Sequence, residues 1–301
     1  MLRHRAAVLG SPIAHSLSPV LHEAAYAALG LSDWSYAKVA VGGPGEPNLA
    51  GFLHGLDREW IGLSVTMPLK EEALQVASVA TAQAQRLGAA NTLIRSQDGW
   101  IAEATDPDGI EQALLHAGLR SARSALVFGS GATARAALES LARFGVTSVG
   151  LGVRDQVRPQ TSALARQLGQ SLTSIPLAQL ESSARLEQAI GEVEVVVSTL
   201  PAGAFTPPGA PSEPRDDSDG WNDAGDVTEP QPLAGTYLLD VVYADWPTPL
   251  ARWANRRGAQ VVSGLEMLLY QAAEQVALMT GRTAPVPAMR AALEASLAES
   301  V

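Results

Sequence analysis

Residues 126–134 read Leu-Val-Phe-Gly-Ser-Gly-Ala-Thr-Ala, an apolar run entering Gly-x-Gly-x-x-Ala and continuing into a helical pattern that ends at Arg143. Few folds accommodate that order. An apolar strand that turns tightly through two glycines into a helix is the opening of a βαβ unit, and it commits the chain around it to a parallel sheet covered by helices. The glycines let the backbone approach a pyrophosphate, which rests on the amides of the helix N-terminus. The motif therefore points to a bound dinucleotide.

The remainder of the chain is consistent with that commitment. Strand patterns at 148–151, 193–197, 237–242 and 260–262 follow the one at 125–128, with helical stretches at 132–143, 160–168 and 249–257. Another strand and helix series precedes it. Its strands are expected at 6–10, 36–41, 60–65 and 92–95, and a helix spans Val20 to Leu29 before Gly30. Crossovers this long make both series read as parallel α/β units. At 301 residues the chain has the length of two domains, with a boundary expected near Asp106-Pro107. Helices at 265–280 and 286–297 close the chain, and pattern alone does not assign them to either unit.

Composition narrows the function classes. The net charge of -10 removes the basic footprint of a nonspecific nucleic-acid binder. Much of that charge is local: seven acids and one base between Glu213 and Glu229 contribute -6, and the rest of the chain carries -4. The surrounding segment, about 204–234, is rich in Pro, Gly, Asp and Ser and is expected to be a disordered or mobile insertion. Without cysteine there is no disulfide, thiol nucleophile or zinc cluster, and the five histidines show no ligand spacing, so no metal is expected. No run reaches the ~18 apolar residues of a membrane span. The start at Met1-Leu2-Arg3-His4-Arg5 carries no signal-peptide core, so a cytoplasmic location is expected.

Strand-to-helix junctions supply the candidate chemistry. Only Lys38 and Lys70 are lysines among 21 basic residues. A lysine ammonium, unlike a guanidinium, can give up a proton. Lys70 follows Ser64-Val65-Thr66-Met67-Pro68-Leu69 and falls in the first turn of a helix. Asp106, in Ala104-Thr105-Asp106-Pro107, reads as a helix N-cap and, facing Lys70, would complete an acid/base pair. Ser18 reads as an N-cap with Pro19 as the first helical residue, and Ser16 adds a hydroxyl where a carboxylate is readily held. Asn91 lies in a turn and Gln271 on an apolar helix. Beyond the glycine motif, Leu151-Gly152-Val153-Arg154-Asp155 ends the next strand, with Arg158 one turn on. Arginines there suit a 2'-phosphate and favour NADP, while the adjacent Asp155 leaves NAD open.

Together these segments resemble the shikimate dehydrogenase family, which includes quinate dehydrogenases, over nearly the whole chain. Gly10 to Pro19 resembles the family's substrate-carboxylate loop. Thr66 and Lys70 match its Asn-Val-Thr-x-Pro-x-Lys motif, Asn91 its Ala-Asn-Thr, Asp106 its Asn-Thr-Asp, Gln271 its closing-helix glutamine and Tyr243 its cleft tyrosine. The resemblance implies two α/β domains with the active site in the cleft between them. Residues 1–106 with 265–301 would form the substrate-binding catalytic domain and 107–264 a Rossmann-type NADP-binding domain. It further implies reversible reduction of 3-dehydroshikimate to shikimate, in aromatic amino acid biosynthesis, by a monomer or homodimer. Lys70 and Asp106 would be catalytic, and Ser16, Ser18, Thr66, Asn91, Tyr243 and Gln271 would bind substrate. Gly129, Gly131, Ala132, Thr133, Arg154, Arg158, Thr199 and Gly264 would hold the cofactor. Ser64, Ala104, Val153 and Ser198 depart from family asparagines. The alternatives are a quinate or aminoshikimate dehydrogenase using NAD, and a dinucleotide sensor without turnover.

Overall fold

A computed structural model describes residues 4–210 and 232–299. The chain divides into two compact units, one formed by Met1–Ile110 with Leu268–Val301 and the other by Glu111–Met267. The closing segment thus returns to the first unit.

The first unit carries strands β1 (His4–Gly10), β2 (Trp34–Ala40), β3 (Trp60–Val65), β4 (Val79–Ala80), β5 (Thr92–Ser96) and β6 (Gly99–Glu103), in the order β2-β1-β3-β5-β6-β4. Helices α1 (Ser18–Ala28), α2 (Leu49–His54), α3 (Lys70–Val76) and α4 (Ala82–Leu87) connect them. The sheet is mixed rather than wholly parallel, because β5 pairs antiparallel with both β3 and β6. Only Gln97 and Asp98 separate β5 from β6, which is hairpin length and excludes a helical crossover. Along β1 the last five residues are all buried, the continuous apolar pattern of a strand covered on both faces.

Helix α5 (Asp106–His116) leads into the second unit, where β7 (Ser124–Phe128), β8 (Ser148–Val153), β9 (Ser171–Pro176), β10 (Val195–Ser198), β11 (Tyr237–Asp240) and β12 (Gln260–Ser263) form a fully parallel sheet. Its order, β12-β11-β10-β7-β8-β9, is that of the doubly wound dinucleotide fold. Helices α6 (Ala132–Arg143), α7 (Pro159–Gln167), α8 (Ser183–Gly191) and α9 (Pro249–Asn255) cover it. The strand order reverses between β7 and β10, so the glycine turn after β7 occupies the switch point where such sheets bind ligands.

The expected insertion is anchored at both ends. Phe205 stacks on Phe128 with ring centroids 5.4 Å apart, and Leu233 is fully buried among Leu126, Leu238 and Trp253. The centre of that segment, 211–231, lies outside the described residues. Helices α10 (Gly264–Thr280) and α11 (Val286–Ala298) close the chain. Among the described residues no helix is long and apolar enough to cross a membrane.

Candidate active site

In the first unit, the loops after β1 and β3 lie side by side. The Ser11 amide donates to the Met67 carbonyl at 3.0 Å, and a Cβ on Gly10 would collide with the Thr66 side chain. Ser16 on the first loop and Ser18, where that loop enters α1, are both buried. Ser18 is not the N-cap expected: α1 begins with Ser18, Pro19 is its second residue, and Leu17 occupies the cap position with no side-chain bond. Ser16 Oγ instead accepts the Ser18 amide at 3.3 Å. Capping thus makes no use of the Ser18 hydroxyl.

Lys70 opens α3, as expected, and donates through Nζ to Asp106 Oδ2 at 2.5 Å, with side-chain exposures of 15% and 10%. Asp106 is likewise the first residue of α5 rather than a cap. Its second oxygen, Oδ1, accepts from Asn91 Nδ2 at 2.8 Å. Asn91 is held in turn, because its Oδ1 accepts the Thr105 amide at 2.7 Å and Nδ2 reaches Thr105 Oγ1 at 2.9 Å. Gln271 joins the cluster from α10 by accepting from Asn91 Nδ2 at 3.2 Å, and its Nε2 donates to the Leu268 carbonyl at 3.1 Å. One ammonium, one carboxylate and two amides are therefore fixed around a common point by mutual bonds. Such a pair is able to exchange a proton with an oxygen, and such amides are able to orient neighbouring hydroxyls.

Sequence reasoning missed the layer beneath. Gln275 lies one turn beyond Gln271, donates to the Asn91 carbonyl at 3.2 Å and to Thr92 Oγ1 at 2.9 Å, and accepts from Ser64 Oγ at 2.6 Å. The readable signal was a second glutamine at i+4 in an apolar helix, where both share one face. His22, fully buried, stacks on Tyr36 at 3.9 Å; burial pushes its pKa down to about 3, against a hydrogen bond with Gln275 that acts the other way.

In the second unit the glycine turn fits a dinucleotide. Gly129 has φ +108, and a Cβ there would come within 2.5 Å of Thr199 Oγ1. At Gly131 a Cβ would meet nothing within 4 Å, so open space lies above the N-terminus of α6, which no side chain caps. Ala132 and Thr133 follow in that first turn. Thr199 Oγ1 donates to the Phe128 carbonyl at 2.7 Å, tying the ends of β7 and β10 together. The Arg158 amide donates to Ser130 Oγ at 2.8 Å and places the loop after β8 beside the glycine turn, with Arg154 exposed at its start. Gly264 packs against the Val241 carbonyl so closely that a Cβ would collide, which gives this glycine a packing role. Tyr243 follows β11 in this unit and is half-buried.

Comparisons with known proteins agree with this arrangement. Residues 8–93 match the family model of the shikimate dehydrogenase substrate binding domain, and 264–294 match that of the shikimate 5'-dehydrogenase C-terminal domain. A shikimate dehydrogenase (NADP(+)) of a Synechococcus strain is 33% identical, across 97% of this chain and 94% of its own. The chain belongs to the shikimate dehydrogenase family. Among solved shikimate dehydrogenases, that of Mycobacterium tuberculosis is 41% identical with a TM-score of 0.77, covering 97% of this chain and 99% of its own. That of Thermus thermophilus, solved with NADP(H) and shikimate, is 30% identical with a TM-score of 0.72, covering 96% and 98%.

Proposed function

We propose that this shikimate dehydrogenase family member catalyses the reversible NADP-dependent reduction of 3-dehydroshikimate to shikimate, with Lys70 and Asp106 as its acid/base pair. The observation that carries the reading is the Lys70–Asp106 bond of 2.5 Å, with Asn91 and Gln271 locked around it, in a chain whose relatives are named for this reaction.

Ser16 and Ser18 would hold the substrate carboxylate by hydroxyl donation, with Thr66 on the neighbouring loop. Asn91 and Gln271 would orient the ring hydroxyls. Tyr243 remains part of the proposed substrate set on the family motif. When bound, the cofactor supplies a hydride to the ring carbonyl carbon in reduction and accepts one in oxidation. Lys70 Nζ gives its proton to the carbonyl oxygen as that oxygen becomes a hydroxyl, and recovers it in the reverse direction. Asp106, accepting from both Lys70 and Asn91, keeps the ammonium aimed at one point.

For the cofactor, Gly129, Gly131, Ala132 and Thr133 would receive the pyrophosphate. Arg154 and Arg158 would receive the 2'-phosphate, with Thr199 and Gly264 shaping the strand ends beside them. Support comes from the open space at Gly131, the uncapped helix and the exposed Arg154. We place the enzyme in the cytoplasm, as a monomer or homodimer that sedimentation would distinguish.

The test is absorbance at about 340 nm, where reduced nicotinamide is followed, with shikimate and quinate each offered with NADP and NAD. Preferred turnover of shikimate with NADP is expected. Preference for quinate or NAD would assign the chain to another activity of its family, and no turnover with any pair would leave the sensor alternative.

A further inference from the structure

Four side chains beneath the proposed substrate site form a continuous polar chain. Tyr36, Ser64, His22 and Gln275 are each no more than 4% exposed. The hydroxyl of Tyr36 lies 2.6 Å from Ser64 Oγ, and Ser64 Oγ lies 2.6 Å from Gln275 Oε1. The directions of these bonds follow from chemistry. Gln275 Nε2 faces the Asn91 backbone carbonyl, which only accepts, so Oε1 is the end turned to Ser64. Ser64 therefore donates to Gln275 and accepts from Tyr36. His22 Nε2, 3.4 Å from the same Oε1, carries the ring hydrogen, and Nδ1 accepts from Tyr26. At its other end, the Tyr36 hydroxyl lies within reach of the Ser18 side chain.

The same helix-to-strand contact fixes this chain in place. Gly62 and Ser64 share one face of β3, and Met279 and Gln275 share one face of α10. Met279 packs on Gly62, where a Cβ would lie 2.5 Å from its side chain, and Gln275 reaches Ser64 one helical turn back. A core sealed only for stability would be served by apolar side chains here, since each hydroxyl and amide must find a partner or cost free energy. This one instead runs from the carboxylate loop to Asn91.

We propose that Tyr36, Ser64 and Gln275 are positioning residues that orient the Ser18 hydroxyl and couple carboxylate binding to the placement of Asn91. The proposal rests on the reading of Ser18 as a carboxylate ligand. Tyr36 has one hydrogen and two neighbours able to accept it. With no ligand it donates to Ser64. When Ser18 donates to a carboxylate, the free lone pair on Ser18 accepts from Tyr36, and Ser64 keeps its bond to Gln275. No group is left charged or unpaired except one lone pair of Ser64. The substrate's anionic end thus meets a hydroxyl already braced from behind.

The test uses Tyr36→Phe, which keeps the ring against His22, and Ser64→Ala, each as the full-length enzyme. Tyr36→Phe should raise KM for shikimate about tenfold, the scale of one misaligned bond to a charged group, whereas Ser64→Ala removes only the acceptor that Tyr36 leaves on binding and should not raise it. Turnover number and KM for NADP should change less than about threefold. The double variant should match Tyr36→Phe alone, since without the Tyr36 hydroxyl Ser64 has no path to Ser18. Preference for shikimate over its carboxamide, as kcat/KM, should also fall about tenfold in Tyr36→Phe. For Tyr36→Phe, a lowered melting temperature with KM and acid-over-amide preference unchanged would overturn the proposal and leave a structural network. Ser18→Ala separates the two readings. A raised KM there, with Tyr36→Phe neutral, overturns the relay and keeps the carboxylate site, and an unchanged KM overturns both.

Discussion

Lys70 and Arg would make equally good ion pairs with Asp106, but they are not equally good acids, and that difference isolates proton transfer from charge. Lys70→Arg keeps a cation beside the carboxylate yet offers a group that does not deprotonate in proteins. Both Lys70→Arg and Lys70→Ala should lower the turnover number by about a hundred- to ten-thousandfold in steady-state assays, with circular dichroism unchanged. An Arg variant with near-native turnover would remove Lys70 as the acid. The glycine turn allows a similar separation. Gly131→Val projects into open space at an ordinary φ, so it should leave the melting temperature within a few degrees while NADP binding by calorimetry is lost. Gly129→Ala meets Thr199 at a φ of +108 and should destabilise the fold itself, by about 1 kcal/mol or more. These residues were legible in the sequence because each belongs to a short motif whose spacing carries its chemistry. Ser18 and Asp106 were legible as polar residues at helix starts but not as to role, because caps and ligands occupy the same positions, and only the bonds distinguish them.

At the scale of elements, legibility followed length and periodicity. Helix α6 runs from Ala132 to Arg143 as its pattern requires, and β3 spans Trp60 to Val65. The two-residue β4, the six-residue α2 and α4, the hairpin partner β6, the strand β9 and the helix α8 went unread. The first four are too short to show a period, β9 is half Ser and Thr with little burial, and α8 buries only Leu186 and Ile190. The missed hairpin is what made the first sheet read as parallel. The segment at 204–234 shows a different limit. Its composition dominates any window average, so Phe205 and Leu233 at its ends were absorbed into it, although both pack on the core around Phe128 and Leu126. Leu233→Ala should therefore cost about 2–5 kcal/mol in urea unfolding, as expected for a fully buried leucine. A loss below 0.5 kcal/mol would mean that this end of the segment contributes nothing to the second unit.

Over the whole molecule, the two units carry separate tasks, and only the first ties stability to pH through a fully buried imidazole. His22 holds no charge in the folded protein at neutral pH, because burial lowers its pKa from the ordinary 6.5 to about 3. The unfolded chain binds a proton on this ring as pH falls through 6.5, while the folded chain does not until about pH 3. Proton uptake by the unfolded state lowers stability through that window, so the contribution is complete above 6.5 and is lost toward acid. Between pH 7.5 and 5.5 the loss from this one group is on the order of 1 kcal/mol. His22→Gln keeps a hydrogen-bonding side chain near Gln275 and removes the titration. Other groups, among them Asp240, whose carboxyl burial pushes up, titrate alike in both proteins, so the difference between the two pH dependences belongs to His22. Urea unfolding read by hydrogen exchange across β1, in the same unit, should show native stability falling more than that of His22→Gln by about 1 kcal/mol between the two pH values. Equal slopes would mean that the buried ring takes up its proton over the same pH range as in the unfolded chain, which would overturn a neutral His22 that accepts from Tyr26 and donates to Gln275.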